Sequence, residues 1–134
     1  MSDLSRHKKI GPRNISLGSL LRYSFPIMAI ASILHRASGF VLFLLIPLML
    51  WLLNNLKTSA ASFSEIQHGF DHCWVLKILV WVLLSALWYH LIAGIKHLIM
   101  DLGFLEHKTS AKISSVIILI LGILGIILLG AWLW

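Results

Sequence analysis

Residues 113–134 have the sequence ISSVIILILGILGIILLGAWLW, a run of 22 residues without a charged side chain. About 20 apolar residues in an α-helix span the hydrocarbon core of a bilayer, so this run predicts a membrane-spanning helix. Two further apolar stretches, residues 26–53 and 74–100, predict two more spanning helices. The sequence therefore predicts an all-α integral membrane protein with three transmembrane helices.

The composition of the whole chain agrees with this class. Only 12% of the 134 residues are charged, about half the share of an average soluble domain, which is roughly 25%. Of the 11 Lys and Arg residues behind the net charge of +6, five lie within residues 6–22 and six are spaced singly along the rest of the chain, which argues against a nucleic-acid-binding surface. Cys73 is the single cysteine, so an internal disulfide is excluded and a packing role is predicted.

The chain is predicted to comprise a basic arm, residues 1–25, and a membrane anchor domain, residues 26–134. The arm has no apolar core typical of a cleaved signal peptide. Polar connections are predicted over residues 54–71 and 101–112. Lys and Arg number five in the arm, one in the first connection and two in the second. By the positive-inside rule, the N-terminus is predicted in the cytoplasm and the C-terminus in the periplasm.

Several side chains predict how the spans meet lipid and other helices. Lys77 and Lys96 lie near opposite ends of the second span, where long cationic side chains reach the headgroups. Trp132 and Trp134 suit an aromatic belt at the membrane surface. Small residues let helices approach closely, so the glycines of the third span are predicted to receive partner helices. The relevant glycines are Gly122 and Gly125.

A polar face interrupts the first span. Ser32, His35, Arg36 and Gly39 follow the spacing i, i+3, i+4, i+7, which places them on one side of a helix. Arg36 is predicted just inside the hydrocarbon boundary, where it either reaches the headgroups or joins a polar site. The serine and histidine on the same face favour a polar site.

A second polar stripe lies in the second span and contains His90, Gly94, His97 and Asp101. At 1.5 Å per residue, His90 lies about 9 Å below Lys96 and is the deepest ionisable residue of the chain. An imidazole at that depth is hydrogen-bonded, part of a proton path or bound to a metal.

Haem is the metal group that the two stripes favour. Gly94 leaves space for a flat macrocycle beside His90, and a neutral imidazole is a common axial ligand of haem iron. The groups predicted to meet the haem carboxylates lie one to two turns closer to the cytoplasm. They are His35, Arg36 and His97.

Three segments together resemble the larger cytochrome b anchor of bacterial succinate dehydrogenase. They are PIMAIASILHRASG at residues 26–39, Tyr89-His90, and GIKHLIMD at residues 94–101. The resemblance covers nearly the whole chain and includes the number and spacing of the helices. It implies a complex of four subunits, in which an FAD flavoprotein oxidises succinate, an iron–sulfur subunit passes electrons on, and two membrane anchors share one haem b.

The resemblance also implies roles for individual residues of this chain. His90 is the axial iron ligand, and the second anchor subunit supplies the other ligand. His35 and Arg36 support the haem propionates, whereas His97 and Asp101 match the family segment and receive only a supporting role. FAD and the iron–sulfur clusters are held by the partner subunits.

For the quinone, the resemblance implies that Ser32 and Arg36 contact ubiquinone near the cytoplasmic interface. Ser32 would hydrogen-bond a quinone carbonyl, and Arg36 would stabilise the negative charge that develops on reduction. The chain contributes no catalytic acid or base. The expected location is a bacterial inner membrane, and the expected setting is the tricarboxylic acid cycle and aerobic electron transport.

Three alternatives remain open from the sequence. The anchor of a fumarate reductase has the same parts and runs the quinone chemistry in reverse. A proton or solute carrier would use His90, Arg36 and Asp101 as a relay, but inverted repeats and glycine-broken helices are not evident. A purely structural anchor would hold no cofactor. A reducible haem spectrum distinguishes the two quinone-linked anchors from the other two possibilities.

Overall fold

The computed structural model of the chain describes residues 24–105 and 107–134, except for the side chains of Ala60 and Asp71. Its elements are α1 (Ile27–Leu44), α2 (Ile46–Thr58), α3 (Ala60–His72), α4 (Trp74–Asp101) and α5 (Lys108–Leu133). Within these residues, α1, α4 and α5 are long and apolar enough to cross a membrane, and they pack against one another. The all-α class with three spanning helices is confirmed, whereas most of the predicted arm lies outside the described residues.

The first predicted helix, residues 26–53, is wrong as a single element. The backbone leaves helical geometry at Leu45, with φ −93° and ψ 4°, and a second helix then continues to Thr58. Pro47 is the cause, because proline has no N–H and its ring clashes with the carbonyl four residues earlier, here that of Phe43. Within this segment α1 is the helix that is long and apolar enough to cross a membrane, and α2 continues the chain from Ile46 to Thr58.

The polar connection predicted over residues 54–71 is largely helical. Ser59 begins α3 as an N-cap, because its Oγ accepts a hydrogen bond from the N–H of Ser62 at 3.1 Å. Phe63, Ile66 and Phe70 lie on one face of α3, and Ile66 is buried. This apolar face packs α3 against α2 and α4, so the segment is an amphipathic helix.

The turn after α4 is closed by the hydrogen bonds of a glycine C-cap. Gly103 has a φ of 84°, its N–H donates to the carbonyl of Met100 at 2.9 Å, and that of Phe104 donates to Ile99 at 3.2 Å. These two bonds form a Schellman motif, in which glycine adopts the left-handed conformation without strain. α5 then begins at Lys108, five residues before the predicted start at residue 113. The prediction began too late because the first turn of α5 is polar and was assigned to the connection.

Glycines of α5 are covered by aromatic side chains of α4. Trp88 donates its indole N–H to the carbonyl of Leu121 at 3.0 Å, and a Cβ on Gly125 would collide with that indole nitrogen. A Cβ on Gly122 would lie 2.6 Å from Tyr89 Cδ2. The prediction that Gly122 and Gly125 await partner helices is therefore wrong, since α4 of the same chain fills the space.

A second tryptophan of α4 packs on a second glycine of α5 in the same way, nearer the C-terminus of α5. Trp81 donates its indole N–H to the carbonyl of Ile126 at 3.1 Å, and Gly130 lies opposite the same indole. In both pairs the glycine follows the accepting carbonyl by four residues, so no side chain blocks the approach of the donor. These bonds satisfy both indole N–H groups within the chain and fix the register of α4 against α5.

Gly125→Ala is expected to destabilise the protein by about 1–3 kcal/mol, because the added methyl group displaces the hydrogen-bonded indole of Trp88. Gly130→Ala is the matched control, since its Cβ would lie 3.2 Å from Trp81 Nε1 and needs only a small shift. Thermal denaturation of the purified protein in detergent measures both effects. Trp88→Phe should restore part of the loss in Gly125→Ala. Equal losses for the two alanine variants would contradict the steric argument.

Lys96 does not extend to the headgroups as predicted. Its side chain is 7% exposed, and Nζ donates to Ser115 Oγ at 3.0 Å. Ser115 in turn donates to the carbonyl of Ala111 at 2.8 Å, so its oxygen is free to accept from the ammonium group. Lys77 instead places Nζ 5.8 Å from the ring centre of Trp134, a cation–π distance.

Candidate functional site

The contact between α1 and α4 gathers three imidazoles. The rings of His35 and His90 stack with their centres 4.2 Å apart and their planes at 20°. His97 lies on the other side, with its ring centre 5.0 Å from that of His35. The two polar stripes that the sequence placed on separate helices therefore face each other, and His35 lies between the two histidines of α4.

His90 is held against α1 through one ring nitrogen. Nδ1 lies 3.1 Å from the backbone carbonyl oxygen of His35 and 3.1 Å from Ser38 Oγ. The ring edge rests on Gly39, where a Cβ would approach His90 Cε1 to 2.9 Å. Glycine is required at this position because a larger residue would push the imidazole away from its two oxygen neighbours.

His35 leaves one polar atom unsatisfied. Its Nε2 is buried and has no hydrogen-bond partner among the described residues. A Cβ on Gly94 would lie 3.6 Å from this nitrogen, an ordinary contact distance, so the imidazole of His35 occupies space that the sequence interpretation assigned to a macrocycle. A buried nitrogen without a partner is costly, so this atom is a candidate to bond a ligand that brings a hydrogen-bonding group to the middle of α1.

The stacked geometry limits how a metal could bind here. Axial ligands reach a haem iron through nitrogen lone pairs in the plane of each ring, whereas His35 and His90 present their faces to each other. An iron atom between these two rings is incompatible with this arrangement. Across residues 24–105 and 107–134, no three His, Cys, Asp or Glu side chains are grouped to hold a metal ion.

The predicted quinone residues lie one turn apart on α1. Ser32 is half-buried and Arg36 is exposed, and neither has a hydrogen bond or ion pair with another described residue. Both side chains are therefore available to groups outside the described part of the chain. Asp101 is exposed at the last residue of α4, apart from the histidine stack, whereas His97 joins the stack as described above.

Two residues of this region were missed as functional candidates. Ser38 belongs to the quoted segment of α1 but received no role, although a serine three residues after His35 could be expected to bond that backbone carbonyl. Tyr89 is buried and donates its hydroxyl to the carbonyl of Ala31 at 3.1 Å, while its ring packs on Gly122. Tyr89 thus contacts both other spanning helices. Its hydroxyl group within an apolar span could have indicated this, because a buried tyrosine hydroxyl usually finds a hydrogen-bond partner.

These features define a class: a multi-pass helical membrane protein with an imidazole held at the contact of two spans. The chain matches the succinate dehydrogenase/fumarate reductase transmembrane subunits over residues 12–129, and it belongs to that family. The resemblance inferred from the sequence is therefore confirmed.

Three relatives are named succinate dehydrogenase cytochrome b556 subunit. The protein from Coxiella burnetii is 46% identical over 115 residues, covering 86% of this chain and 92% of the relative. That from Paracoccus denitrificans is 35% identical over 119 residues, covering 88% and 87%. That from Rickettsia felis is 32% identical over 82 residues, covering 61% and 62%.

Proposed function

We propose that this chain is the cytochrome b anchor subunit of a succinate dehydrogenase, which helps to bind haem b and forms part of the site of ubiquinone reduction. The observation that carries the proposal is the orientation of His90. Its Nδ1 faces two oxygen atoms of α1, which leaves Nε2 without a hydrogen-bond partner among the described residues and available for a metal.

The donor groups present fit the chemistry of haem b, although the ring of His35 fills the space beside Gly94. His90 would hold the iron through Nε2. The second anchor subunit would supply a further ligand, because His35 presents its ring face, not a nitrogen, to His90. The unpartnered Nε2 of His35 and the exposed charge of Arg36 would meet the propionates, with His97 in support. Haem b, when bound, supplies a carrier for single electrons.

Ubiquinone is the proposed substrate at the neighbouring turn of α1. The hydroxyl of Ser32 would donate to a quinone carbonyl, and the guanidinium of Arg36 would stabilise the negative charge that forms on reduction. Neither side chain has a partner among the described residues, so both are free to contact a quinone. The electrons would come from the iron–sulfur subunit, and protons would come from water or from partner side chains.

The proposed setting is a bacterial inner membrane, with residues 1–25 as a cytoplasmic arm, residues 26–134 as the anchor domain and the C-terminus in the periplasm. The proposed protein partners are a second anchor, an iron–sulfur subunit and an FAD flavoprotein. The names of the three relatives support a succinate dehydrogenase rather than a fumarate reductase. No feature of the described residues favours a proton or solute carrier.

An absorption spectrum of the purified complex tests this function. The dithionite-reduced minus oxidised spectrum is expected to show a b-type haem, and ubiquinone is expected to reoxidise it when succinate is the electron donor. The flavin content of the same sample serves as the control for intact assembly. A fully assembled complex without a reducible haem would instead identify the chain as a purely structural anchor.

A further inference from the structure

We infer that Ser38 and the backbone carbonyl of His35 together fix the tautomer of His90, so that Nε2 is the nitrogen presented to the haem iron. The inference rests on the proposed haem ligation and deepens it. Ser38 is then a positioning residue, which acts on the iron through His90.

The argument starts from a triangle of three polar atoms. Ser38 Oγ lies 2.7 Å from the carbonyl oxygen of His35, and His90 Nδ1 lies 3.1 Å from each of these two oxygens. A carbonyl oxygen only accepts hydrogen bonds, and a serine hydroxyl has one proton to donate. Because the bond from Ser38 to the carbonyl is the shortest of the three, the serine proton lies there.

Both oxygens near His90 therefore act as acceptors, and the remaining proton must come from Nδ1. In a neutral imidazole one nitrogen carries the proton and the other carries the lone pair. With the proton on Nδ1, the lone pair lies on Nε2, which is the form that binds a metal.

The opposite tautomer is disfavoured by the same atoms. If Nδ1 lacked its proton, its lone pair would face the lone pairs of the His35 carbonyl at 3.1 Å, and the two would repel. The proton would then lie on Nε2 and block ligation. The imidazole of His90 has little room to turn Nδ1 away from these oxygens. Its edge rests on Gly39, and Ser38 beside it is only 8% exposed.

The hydrogen bonds also influence the iron. An imidazole whose N–H donates to an acceptor is a more basic ligand, and a more basic ligand stabilises the ferric state relative to the ferrous state. Removing the Ser38 hydroxyl removes one of the two acceptors of Nδ1. The midpoint potential of the haem should therefore rise in Ser38→Ala.

The test is a redox titration of the haem in the purified complex, combined with EPR spectra of the ferric form. Ser38→Ala is expected to shift the equilibrium towards ferrous haem by up to about tenfold, which corresponds to about 59 mV for a one-electron couple. Ser38→Thr retains the hydroxyl and should keep the native potential.

Ser114→Ala is the matched control. Ser114 donates to the carbonyl of Ala111, three residues earlier, at 3.1 Å, so this variant removes the same kind of local bond on another helix. It should leave the haem potential and EPR spectrum unchanged. If Ser38→Ala loses haem altogether while Ser38→Thr and Ser114→Ala retain it, the positioning role is supported.

The inference would be overturned if Ser38→Ala kept the native potential and EPR spectrum, or if Ser38→Thr changed them as much as Ser38→Ala. A parallel His90→Leu sample separates this failure from failure of the proposed function. Haem retained with native spectra in His90→Leu would refute the ligation itself. Haem lost there but unaffected in Ser38→Ala would refute only the role of Ser38.

Discussion

His90→Leu is expected to abolish the haem b absorption of the assembled complex. Leucine offers no lone pair to the iron, and the described histidines do not take over, because the nearest, His35, presents its face rather than its nitrogen to the position of His90. Difference spectra of the purified complex, normalised to its flavin content, provide the measurement. Loss of the b-type signal with retained flavin is the expected result.

His35→Ala is the informative control for this prediction. His90 bonds to the backbone carbonyl of His35, not to its side chain, so alanine leaves that hydrogen bond in place. Iron ligation should survive, although haem retention should weaken because the buried Nε2 of His35 is lost. Spectra showing that His35→Ala loses a ligand of the haem iron would mean that both protein ligands come from this chain and that the shared-haem proposal is wrong.

Ser32→Ala and Arg36→Leu are expected to slow quinone reduction far more than succinate oxidation by a soluble dye. Both side chains lie on one face of α1 without partners among the described residues, whereas the proposed succinate chemistry takes place in another subunit. Losing a contact that strengthens as charge develops on the quinone is expected to cost about 2.7–4 kcal/mol, or about 10² to 10³ in rate. Paired assays with ubiquinone and dye on one preparation measure the difference.

Conservative variants sharpen this second experiment. Ser32→Thr retains a hydroxyl and should recover most of the rate, while Arg36→Lys keeps the charge but loses the planar fork of donors. Arg36→Leu is also expected to weaken haem retention through the propionates, so Ser32→Ala is the cleaner variant. An unaltered rate and affinity for quinone in Ser32→Ala would move the quinone site away from this residue.

The spanning helices were predictable because a bilayer demands long apolar runs, and these are visible without any knowledge of packing. The break at Leu45 was also signalled, since Pro47 lies inside the predicted helix, but the apolar character of residues 26–53 concealed it. α3 was missed for the opposite reason. Its polar composition resembles a loop, and only the Ser59 cap and the spacing of its apolar residues reveal a helix.

The sequence predicted which side chains share a helix face, but not the contacts between the helices. Helical spacing placed Ser32, His35 and Arg36 on one face and His90 with His97 on another. It could not show that the carbonyl of His35 accepts from His90, because that bond depends on how two helices distant in sequence pack together. The burial of Lys96 had the same origin, since its partner Ser115 lies on the next helix.

The bond between His90 and the His35 carbonyl also has a consequence for biosynthesis. Its two partners are separated by 55 residues, which a ribosome adds in about 3–11 s at 5–20 residues per second. During that interval the imidazole of His35 and the hydroxyl of Ser38 have been made, but His90 of α4, which contacts both, has not. The rate at which residues 36–90 are translated, most of them in the rest of α1 and in α2 and α3, therefore sets how long the first helix waits for the partner of its carbonyl.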